Sequence, residues 1–275
     1  MGNKKALCIH DMSSVGRCSL TVISPVLSVM GVQCVPLATA VLSTHFGGFG
    51  QVASRDLTEF CHESLKQFER IGVKFDCVYS GYLASPPQME IVKMAFEQNK
   101  SALKVCDPVM ADNGKLYSSF TQQLSSVLGE ICAVSDIITP NPTEANILLG
   151  KDYDKTVFCP HEIKQMVMGL NKKYKNSVVI TGAKLEDKRV ICAGFNEKTK
   201  EYFTIECNYI PVHFPGTGDL FCAVLTGCLL KDDDLPAACK KAAEFVEKCV
   251  KATYNEGVDT RFGVELEPQL KYLLE

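Results

Sequence analysis

The chain has 275 residues, 46% hydrophobic and 22% charged, a balance typical of a globular protein with a sizeable core. Its formal net charge is −3 and it has no long block of like charges, so nucleic acid is a poor candidate partner. The first apolar run is too short for a signal peptide, and no stretch approaches the ~18 apolar residues of a membrane span. We therefore expect a cytoplasmic protein with no membrane partner.

The spacing of the 14 cysteines bears on metal and redox chemistry. No two lie three residues apart, and the closest pair is Cys222 and Cys228. Zinc knuckles and thioredoxin-type sites require the CxxC spacing, so both are excluded. Most of the cysteines lie in apolar runs, where a thiol acts as a small hydrophobic group, and we expect them to be reduced core residues.

Apolar runs rich in β-branched residues alternate with segments of helical period. The predicted strands are Ala6–His10, Gln33–Leu37, Cys77–Ser80, Leu103–Cys106, Ile137–Thr139 and Val178–Thr181. The predicted helices between them are Leu20–Met30, Leu57–Ile71, Pro87–Gln98 and Thr121–Val134. This alternation predicts an α/β fold, a three-layer sandwich with a mostly parallel central sheet and helices on both faces.

The pattern changes in the last third of the chain. Arg189–Phe195 and Glu201–Cys207 flank a short polar turn and predict an antiparallel hairpin at the edge of the sheet. Two helices, Asp219–Leu230 and Leu235–Thr253, are predicted to follow. Since no Gly-, Ser- or Pro-rich linker divides the chain, residues 1–275 are predicted to form a single domain.

Polar residues follow several of the predicted strands. They are His10-Asp11, Gly81-Tyr82, Asp107-Pro108, Thr139-Pro140-Asn141 and Thr181-Gly182. Open α/β sheets bind ligands outside the carboxyl ends of their strands, so these residues are candidates for a binding site. Gly, Pro, Asn and Asp also form ordinary turns, which would explain any one of these positions alone, but recurrence at several strand ends favours a site.

The segment Phe214–Phe221 joins a glycine-rich turn to an apolar helix. The free amides of Gly216, Thr217 and Gly218 would point outward together, and with the helix dipole they suit an anion such as phosphate. Asp219 lies in the first turn of this helix. It is either an acid that stabilises the helix N-terminus or a general base beside a phosphate-binding turn.

Four segments, in order along the chain, are similar to those of one enzyme family. They are Val78–Leu83, Val105–Val109, Asp136–Asn141 and Gly216–Asp219. The last resembles the GTGD motif of the ribokinase-like superfamily, and the others resemble stretches of pyridoxal kinases, with Glu144 completing a TPNxxE pattern. The resemblance extends from Ile9 to about Thr253. It implies a ribokinase-like fold and ATP-dependent phosphorylation of the 5′-hydroxymethyl group of a vitamin B6 compound.

The resemblance also implies a role for each motif. Asp219 is the expected catalytic base, with the amides of Gly216, Thr217 and Gly218 as the anion hole. ATP is the expected donor, bound around Thr139, Asn141, Thr181 and Gly182. Mg²⁺ is the expected cofactor, held mainly through water by Asp107 and Glu144, with Asp112 as a further carboxylate. Related kinases are commonly homodimers, so a homodimer is expected.

On the acceptor side, pyridoxal kinases commonly have Ser after the first strand where this chain has Asp11. A carboxylate near the 4′ substituent would favour a cationic aminomethyl group over an aldehyde, which predicts pyridoxamine as the preferred substrate. Asp11 could instead cap the following helix. His45 and Tyr82 lie in segments that resemble acceptor-facing parts of the family, although ordinary packing would explain either one.

Other functions have weaker support. Gly48–Ala53 matches the dinucleotide pattern GxGxxA but does not join the first strand to its helix, and the Walker pattern is absent. Within the superfamily the nearest alternative is a hydroxymethylpyrimidine kinase. Sugar kinases carry an extra lid of strands, for which the region Ala38–Ser54 is too short. A non-catalytic nucleotide or vitamin sensor of the same fold is the alternative outside enzymes.

Overall fold

A computed structural model describes residues 3–117, 122–208 and 210–274. In this part of the chain the strands are β1 (Lys5–Val15), β2 (Gln33–Thr44), β3 (Ser54–Asp56), β4 (Cys77–Ser80), β5 (Leu103–Cys106), β6 (Ala111–Asp112), β7 (Lys115–Leu116), β8 (Ile137–Ile138), β9 (Ser177–Lys184), β10 (Val190–Asn196) and β11 (Glu201–Cys207). The helices are α1 (Leu20–Val29), α2 (Thr58–Arg70), α3 (Gln88–Gln98), α4 (Gln122–Ala133), α5 (Pro142–Leu149), α6 (Pro160–Tyr174), α7 (Thr217–Leu229) and α8 (Leu235–Glu256), followed by 3₁₀ turns at Thr260–Phe262 and Glu267–Leu273. No helix in the described ranges is long and apolar enough to span a bilayer.

Nine strands form one sheet in the order β11-β10-β9-β8-β5-β4-β1-β2-β3. The pairs from β2 through β9 are parallel, while β10 and β11 pair antiparallel at one edge and β3 pairs antiparallel with β2 at the other. The predicted α/β class and edge hairpin are therefore confirmed. A second, separate hairpin joins β6 and β7. The single-domain interpretation stays a prediction, with which one continuous sheet agrees.

The central strands of the sheet are buried on both faces, as their nearly continuous apolar sequences require. Along β1, Leu7 and Ile9 point into one hydrophobic cluster, and Ala6 and Cys8 point into the other. Helices α2 to α6 cover the first face, and α1, α7 and α8 cover the second. This arrangement gives the three layers that the sequence predicts.

Some elements differ from the predictions. Helices α5 and α6 were missed, although a proline in the first turn of each is a common helix start. β1 and β2 run beyond their predicted ends, and their extensions pair with each other and, through β2, with β3. Of the predicted helix Thr121–Val134, the residue Thr121 lies outside the described residues.

The chain order of the strands reverses direction beside β1. After β1 the chain adds β2 and β3 on one side and then β4, β5 and β8 on the other. Ligands of open α/β sheets bind at such switch points, outside the carboxyl ends of the strands. The register of β1 and β2 also shifts between His10 and Met12, which places His10 and Asp11 at an irregularity inside β1 rather than after it.

Candidate active site

A cavity of about 470 Å³ lies at the carboxyl end of the parallel strands. Every site residue that the sequence predicts lines it. These residues are Asp11, His45, Tyr82, Asp107, Asp112, Thr139, Asn141, Glu144, Thr181, Gly182, Gly216, Thr217, Gly218 and Asp219. Residues scattered over most of the chain thus form one site, and their individual roles stay predictions.

The turn before α7 has the geometry of an anion site. Gly216 is left-handed with φ +81°, and a Cβ there would lie 2.1 Å from the carbonyl oxygen of Arg17, so only glycine fits. In the described part of the chain, no hydrogen bond engages the N–H groups of Thr217 and Gly218. A Cβ at Gly218 would meet nothing within 4 Å, which leaves open space in front of these amides.

Asp219 is 9% exposed, and both of its carboxylate oxygens have neighbours. The backbone N–H of Ser19 donates to Oδ2 at 2.6 Å. Nε2 of His10 lies 3.1 Å from Oδ1, as an ion-pair contact whose alignment is too poor for a good hydrogen bond. Ser19 and His10 thus contact the carboxylate from two sides in the first turn of α7.

His10, Asp11, Ser19 and Asp219 form a closed four-residue network. Nδ1 of His10 lies 2.9 Å from Oδ1 of Asp11, and the Ser19 hydroxyl donates to that same oxygen at 2.6 Å. The Ser13 hydroxyl donates to Oδ2 of Asp11 at 2.9 Å. Asp11 therefore does not cap a helix through its side chain; it anchors His10 and Ser19, which in turn contact Asp219.

The network fixes two charge states. Burial lowers the pKa of His10, but the charge of Asp219 and the contact with Asp11 outweigh it and raise the pKa to about 10. Burial raises the pKa of Asp11, but hydrogen bonds from His10, Ser19 and Ser13 hold it below its ordinary value. These pKa directions favour a protonated His10 and an ionised Asp11, and the Asp11 N–H also lies 2.9 Å from Nδ1 of His10.

Asp107 and Glu144 lie buried on the other side of the cavity. Burial and the charge of Asp219 raise the pKa of Asp107 to about 7. Burial and the charge of Asp107 raise the pKa of Glu144 well above its ordinary value. Negative charge is therefore concentrated here, which is the condition that a bound cation relieves.

These carboxylates fit Mg²⁺, which prefers oxygen ligands and keeps several waters. No three acidic, histidine or cysteine side chains of the described ranges are close enough to enclose a metal by themselves. An ion held by one or two carboxylates, water and phosphate oxygens matches that arrangement. Asp112 is half-buried, is hydrogen-bonded by Asn113, and lies 3.5 Å from Nε2 of His213.

Asn141 and Glu144 form a capping box at the start of α5. The Glu144 N–H donates to Oδ1 of Asn141 at 3.0 Å, and the Asn141 N–H donates to Oε2 of Glu144 at 2.9 Å. Asn141 also donates through Nδ2 to the Ala111 carbonyl, while Oε1 of Glu144 accepts from the Met110 N–H. The TPNxxE pattern therefore fixes the loop after β5 as well as the helix.

The predicted nucleotide residues meet at the far end of the cavity. Thr139 is buried, and its hydroxyl lies 3.4 Å from Sγ of Cys222. Thr181 and Gly182 belong to β9, which continues to Lys184 instead of ending at Thr181 as predicted. Apolar side chains complete this end, where a planar base could pack. They include Val212, Phe221, Ala243, Val246 and Val250.

Leu42, His45 and Tyr82 line another part of the cavity, the predicted acceptor end. The Gly47 N–H donates to Nδ1 of His45 at 2.9 Å, so Nε2 of the neutral ring carries the proton, which it donates to the Arg261 carbonyl at 2.7 Å. His45 thus presents its ring to the cavity while both nitrogens are engaged. It joins the loop after β2 to the C-terminal segment.

That C-terminal segment was not predicted to be near the site. Its Arg261 donates to the Gly48 carbonyl and lies over the Phe49 ring, whose centroid is 5.6 Å from the guanidinium. Phe262 packs edge-on against Phe49 with centroids 5.3 Å apart. Residues 259–263 therefore hold the loop that borders the acceptor end.

Ser19 and Cys18 also line the cavity although no sequence pattern predicts them, and His10 was a strand-end candidate without an assigned role. The serine before Leu20 is a recognisable helix start, and it precedes α1 as its N-cap, but its contact with Asp219 has no sequence signal. Burial and the charges of Asp219 and Asp11 raise the pKa of Cys18 to about 12, so its thiol is protonated at neutral pH. All 14 cysteines are free thiols.

Comparisons with known proteins agree with this geometry. The model of the phosphomethylpyrimidine kinase family matches residues 26–262. A Bacteroides thetaiotaomicron protein, a putative phosphomethylpyrimidine kinase crystallised with pyridoxal, is 37% identical; the alignment covers 98% of this chain and 96% of that one, with a TM-score of 0.93. Pyridoxal kinase from Lactobacillus plantarum is 29% identical over the same shares, with a TM-score of 0.90. Sheep (Ovis aries) pyridoxal kinase is 29% identical over 84% of this chain and 82% of its own length.

Proposed function

The chain belongs to the phosphomethylpyrimidine kinase family, with a ribokinase-like fold, and from this premise we propose that it transfers the γ-phosphoryl group of ATP to the 5′-hydroxymethyl group of a vitamin B6 compound. Family membership identifies a phosphotransferase that acts on an alcohol group, so the sensor alternative is set aside. The relatives named pyridoxal kinases, and the 37% identical protein crystallised with pyridoxal, support the choice of substrate.

One observation carries the proposal: a single cavity brings Asp219 together with unengaged helix amides and buried carboxylates. Phosphoryl transfer needs a group that accepts the proton of the alcohol, donors that stabilise the phosphoryl oxygens, and a place for a divalent ion. Each part is present, and each comes from a different strand end or helix. Few other reactions need all three in one place.

Asp219 would act as the base. Its carboxylate accepts the proton of the 5′ hydroxyl as the bond between that oxygen and the γ-phosphorus forms and the bond to the β-phosphate oxygen breaks, releasing ADP. The amides of Gly216, Thr217 and Gly218 stabilise the negative charge on the transferred group. Glycine at position 218 leaves room for the phosphoryl oxygens to approach.

The nucleotide and its ion would occupy the other half of the cavity. Thr139, Asn141, Thr181 and Gly182 lie where the phosphates would pass, and the apolar end suits the base of ATP. Asp107 and Glu144 would hold Mg²⁺ mainly through water, with Asp112 as a further carboxylate. When bound, the ion neutralises charge on the phosphates.

The structure also bears on the choice among B6 compounds. Asp11 is ionised and lines the cavity, and Oδ2 accepts one hydrogen bond, from Ser13, among the described groups. Since a carboxylate oxygen can accept two, Oδ2 has capacity for the aminomethyl group of pyridoxamine. We therefore favour pyridoxamine over pyridoxal and pyridoxine. Tyr82 and the ring of His45 would contact the pyridine ring.

Hydroxymethylpyrimidine phosphorylation is the second candidate, because the matching family is named for a kinase of a related methylpyrimidine compound. Both substrates are planar heterocycles with a primary alcohol, so the same base and anion site would serve. A homodimer stays a prediction from the resemblance.

The deciding experiment measures ATP consumption by the purified protein with Mg²⁺ and each of four acceptors: pyridoxamine, pyridoxal, pyridoxine and hydroxymethylpyrimidine. We expect kcat/KM to be highest for a B6 compound, with pyridoxamine first. If kcat/KM were highest for hydroxymethylpyrimidine, the proposed substrate would be wrong but the proposed mechanism would stand. No phosphorylation of any acceptor would overturn the proposal.

A further inference from the structure

We propose that His10 is a positioning residue for the catalytic base: anchored by Asp11, it holds the carboxylate of Asp219 in the orientation that accepts the substrate proton. This inference rests on the proposed function of Asp219 as the base. It assigns a role to a buried histidine that the sequence motifs leave without one.

The imidazole of His10 is held firmly in place. The side chain is about 3% exposed, and a Cβ added to Gly81 would lie 2.0 Å from its Cδ2, so the ring fills the space that this glycine leaves open. Tyr79 packs against it edge-on, with centroids 6.3 Å apart. A ring enclosed in this way cannot swing away from Asp219 without moving β4.

The two nitrogens of the ring face two carboxylates. Nδ1 lies 2.9 Å from Oδ1 of Asp11, and Nε2 lies 3.1 Å from Oδ1 of Asp219. Nε2 has no other polar partner in the described ranges. Nε2 makes no hydrogen bond among the described residues, so the ion-pair contact with Asp219 is the one polar contact of this buried atom. A buried N–H group without any polar contact would be costly.

Ser19 closes the arrangement from the opposite side. Its N–H donates to Oδ2 of Asp219, and its hydroxyl donates to the oxygen of Asp11 that also faces His10. The base is therefore fixed at both oxygens by two residues that share one anchor. Proton transfer requires a group held within a fraction of an ångström of its productive position, which is what such support provides.

A structural role alone would also explain a buried histidine, so the test must separate packing from positioning. His10→Met and His10→Gln have similar side-chain volumes, but only glutamine carries an N–H donor that can reach Asp219. Ser80→Ala is the matched control, because Ser80 is equally buried on the neighbouring strand and its hydroxyl has no hydrogen-bond partner among the described residues.

For the phosphorylation of the best acceptor, we expect His10→Met to lower kcat about 10- to 100-fold while KM for both substrates changes less than about threefold. His10→Gln should retain most of the activity that His10→Met loses, and Ser80→Ala should match the wild type. In an Asp219→Asn background, His10→Met should add no further loss, because the group that it positions is already removed. Equal kcat values for His10→Gln and His10→Met, or a full additional loss in the Asp219→Asn background, would overturn the proposal.

A measurement that does not depend on turnover separates this proposal from the proposed function. ¹⁵N NMR of the imidazole groups, with His10 assigned by its absence in His10→Gln, should show His10 protonated through pH 8 and its titration midpoint lowered in Asp219→Asn. A wild-type midpoint near the ordinary 6.5 would show that the contact does not hold, and the positioning role would fail. If the protein phosphorylated none of the acceptors but His10 still showed the raised titration midpoint, the proposed function would be wrong and the His10–Asp219 contact would stand.

Discussion

Nε2 of His10, in the first strand of the chain, lies 3.1 Å from Oδ1 of Asp219, in the first turn of α7. The contact connects Asp11, to which His10 is anchored, with the start of α7, where Asp219 lies. The position of the proposed base therefore depends on residues at the proposed acceptor side of the cavity. Changes at either end of the network should be measurable in the reaction.

Asp219→Asn should remove the proton acceptor while keeping the shape of the side chain. We expect kcat to fall about 10²- to 10⁴-fold, the usual contribution of a general base, with little change in the binding of ATP or acceptor. Initial rates and isothermal titration calorimetry measure the two effects. Glu59, an exposed acid in the first turn of α2, supplies the control: Glu59→Gln removes a first-turn acid without touching the cavity. If both substitutions lowered kcat by a similarly small factor, Asp219 would only stabilise the N-terminus of α7.

Two glycines of the same turn should respond in opposite ways. Gly216→Ala places a Cβ 2.1 Å from a carbonyl oxygen at a positive φ, so we expect a loss of at least about 1–3 kcal/mol in the free energy of unfolding. Gly218→Ala meets nothing within 4 Å and should fold with equal or slightly higher stability, yet its methyl group would project where the phosphoryl oxygens approach. Thermal unfolding and kcat/KM for ATP distinguish them; full activity in stable Gly218→Ala would argue against an anion hole here.

Asn141→Ala tests whether the capping box supports the site. The change removes the cap of α5 and the bond to the Ala111 carbonyl, so we expect a loss of about 1 kcal/mol in stability together with a lower kcat/KM for ATP. Asp234→Ala removes a comparable cap from α8, where the side chain accepts from the Ala237 N–H away from the cavity. It should cost similar stability and leave kcat/KM unchanged. If Asn141→Ala and Asp234→Ala had the same kcat/KM for ATP, Asn141 would have only a local structural role.

The strand bounds show where sequence patterns stop being informative. β4 and β5 match their predicted ends because an apolar run buried on both faces stops where the polar turn begins. β1 and β2 continue past their apolar runs, since Met12–Val15 and Val41–Thr44 pair with each other beyond the end of β4. That pairing depends on a partner strand, and no periodicity in the polar segment after Asp11 indicates it.

The sequence predicts which residues belong to the candidate site but not which of them contact one another. Most predicted residues lie near the carboxyl end of a strand or in the first turn of a helix, and the topology brings such positions to one edge of the sheet. The contacts of Asp219 with His10 and Ser19 join opposite ends of the chain, and no single-sequence pattern encodes them. The spacing of Asn141 and Glu144 fits both a ligand motif and a capping box, and the structure shows the second use.

Asp11→Ser should change substrate preference. If Oδ2 of Asp11 pairs with the aminomethyl group, its loss should lower the ratio of kcat/KM for pyridoxamine over pyridoxal about tenfold or more, because a charge-assisted hydrogen bond of about 1.5–3 kcal/mol is lost. The same substitution also removes the anchor of His10, so a uniform fall in kcat for all acceptors is expected beside the change in ratio. Ser13→Ala is the control that alters the Asp11 environment without removing its charge. An unchanged ratio in Asp11→Ser would end the pyridoxamine hypothesis.

The raised pKa of His10 predicts a pH dependence of stability. The pKa is about 10 in the folded protein and about 6.5 in the unfolded chain, so the folded state binds the proton more tightly. The stabilisation from this group is fully present below pH 6.5 and is lost as the pH rises through about 10, with a slope of at most about 1.4 kcal/mol per pH unit.

The groups that face the ring are Asp11 on its own strand, Asp219 on α7, Asp107 after β5 and Tyr79 on β4. Asp107, with a pKa of about 7, is largely ionised by pH 8, and burial raises the pKa of Tyr79 well above its ordinary value, so neither should change charge appreciably between pH 8 and 10. Urea unfolding of the wild type and of His10→Met at pH 7, 8, 9 and 10 measures the effect. The difference in unfolding free energy should shrink steadily over this range, because the variant lacks the titrating group. A difference that stays constant with pH would show that His10 is neutral in the fold and that the ion pairs with Asp11 and Asp219 do not form.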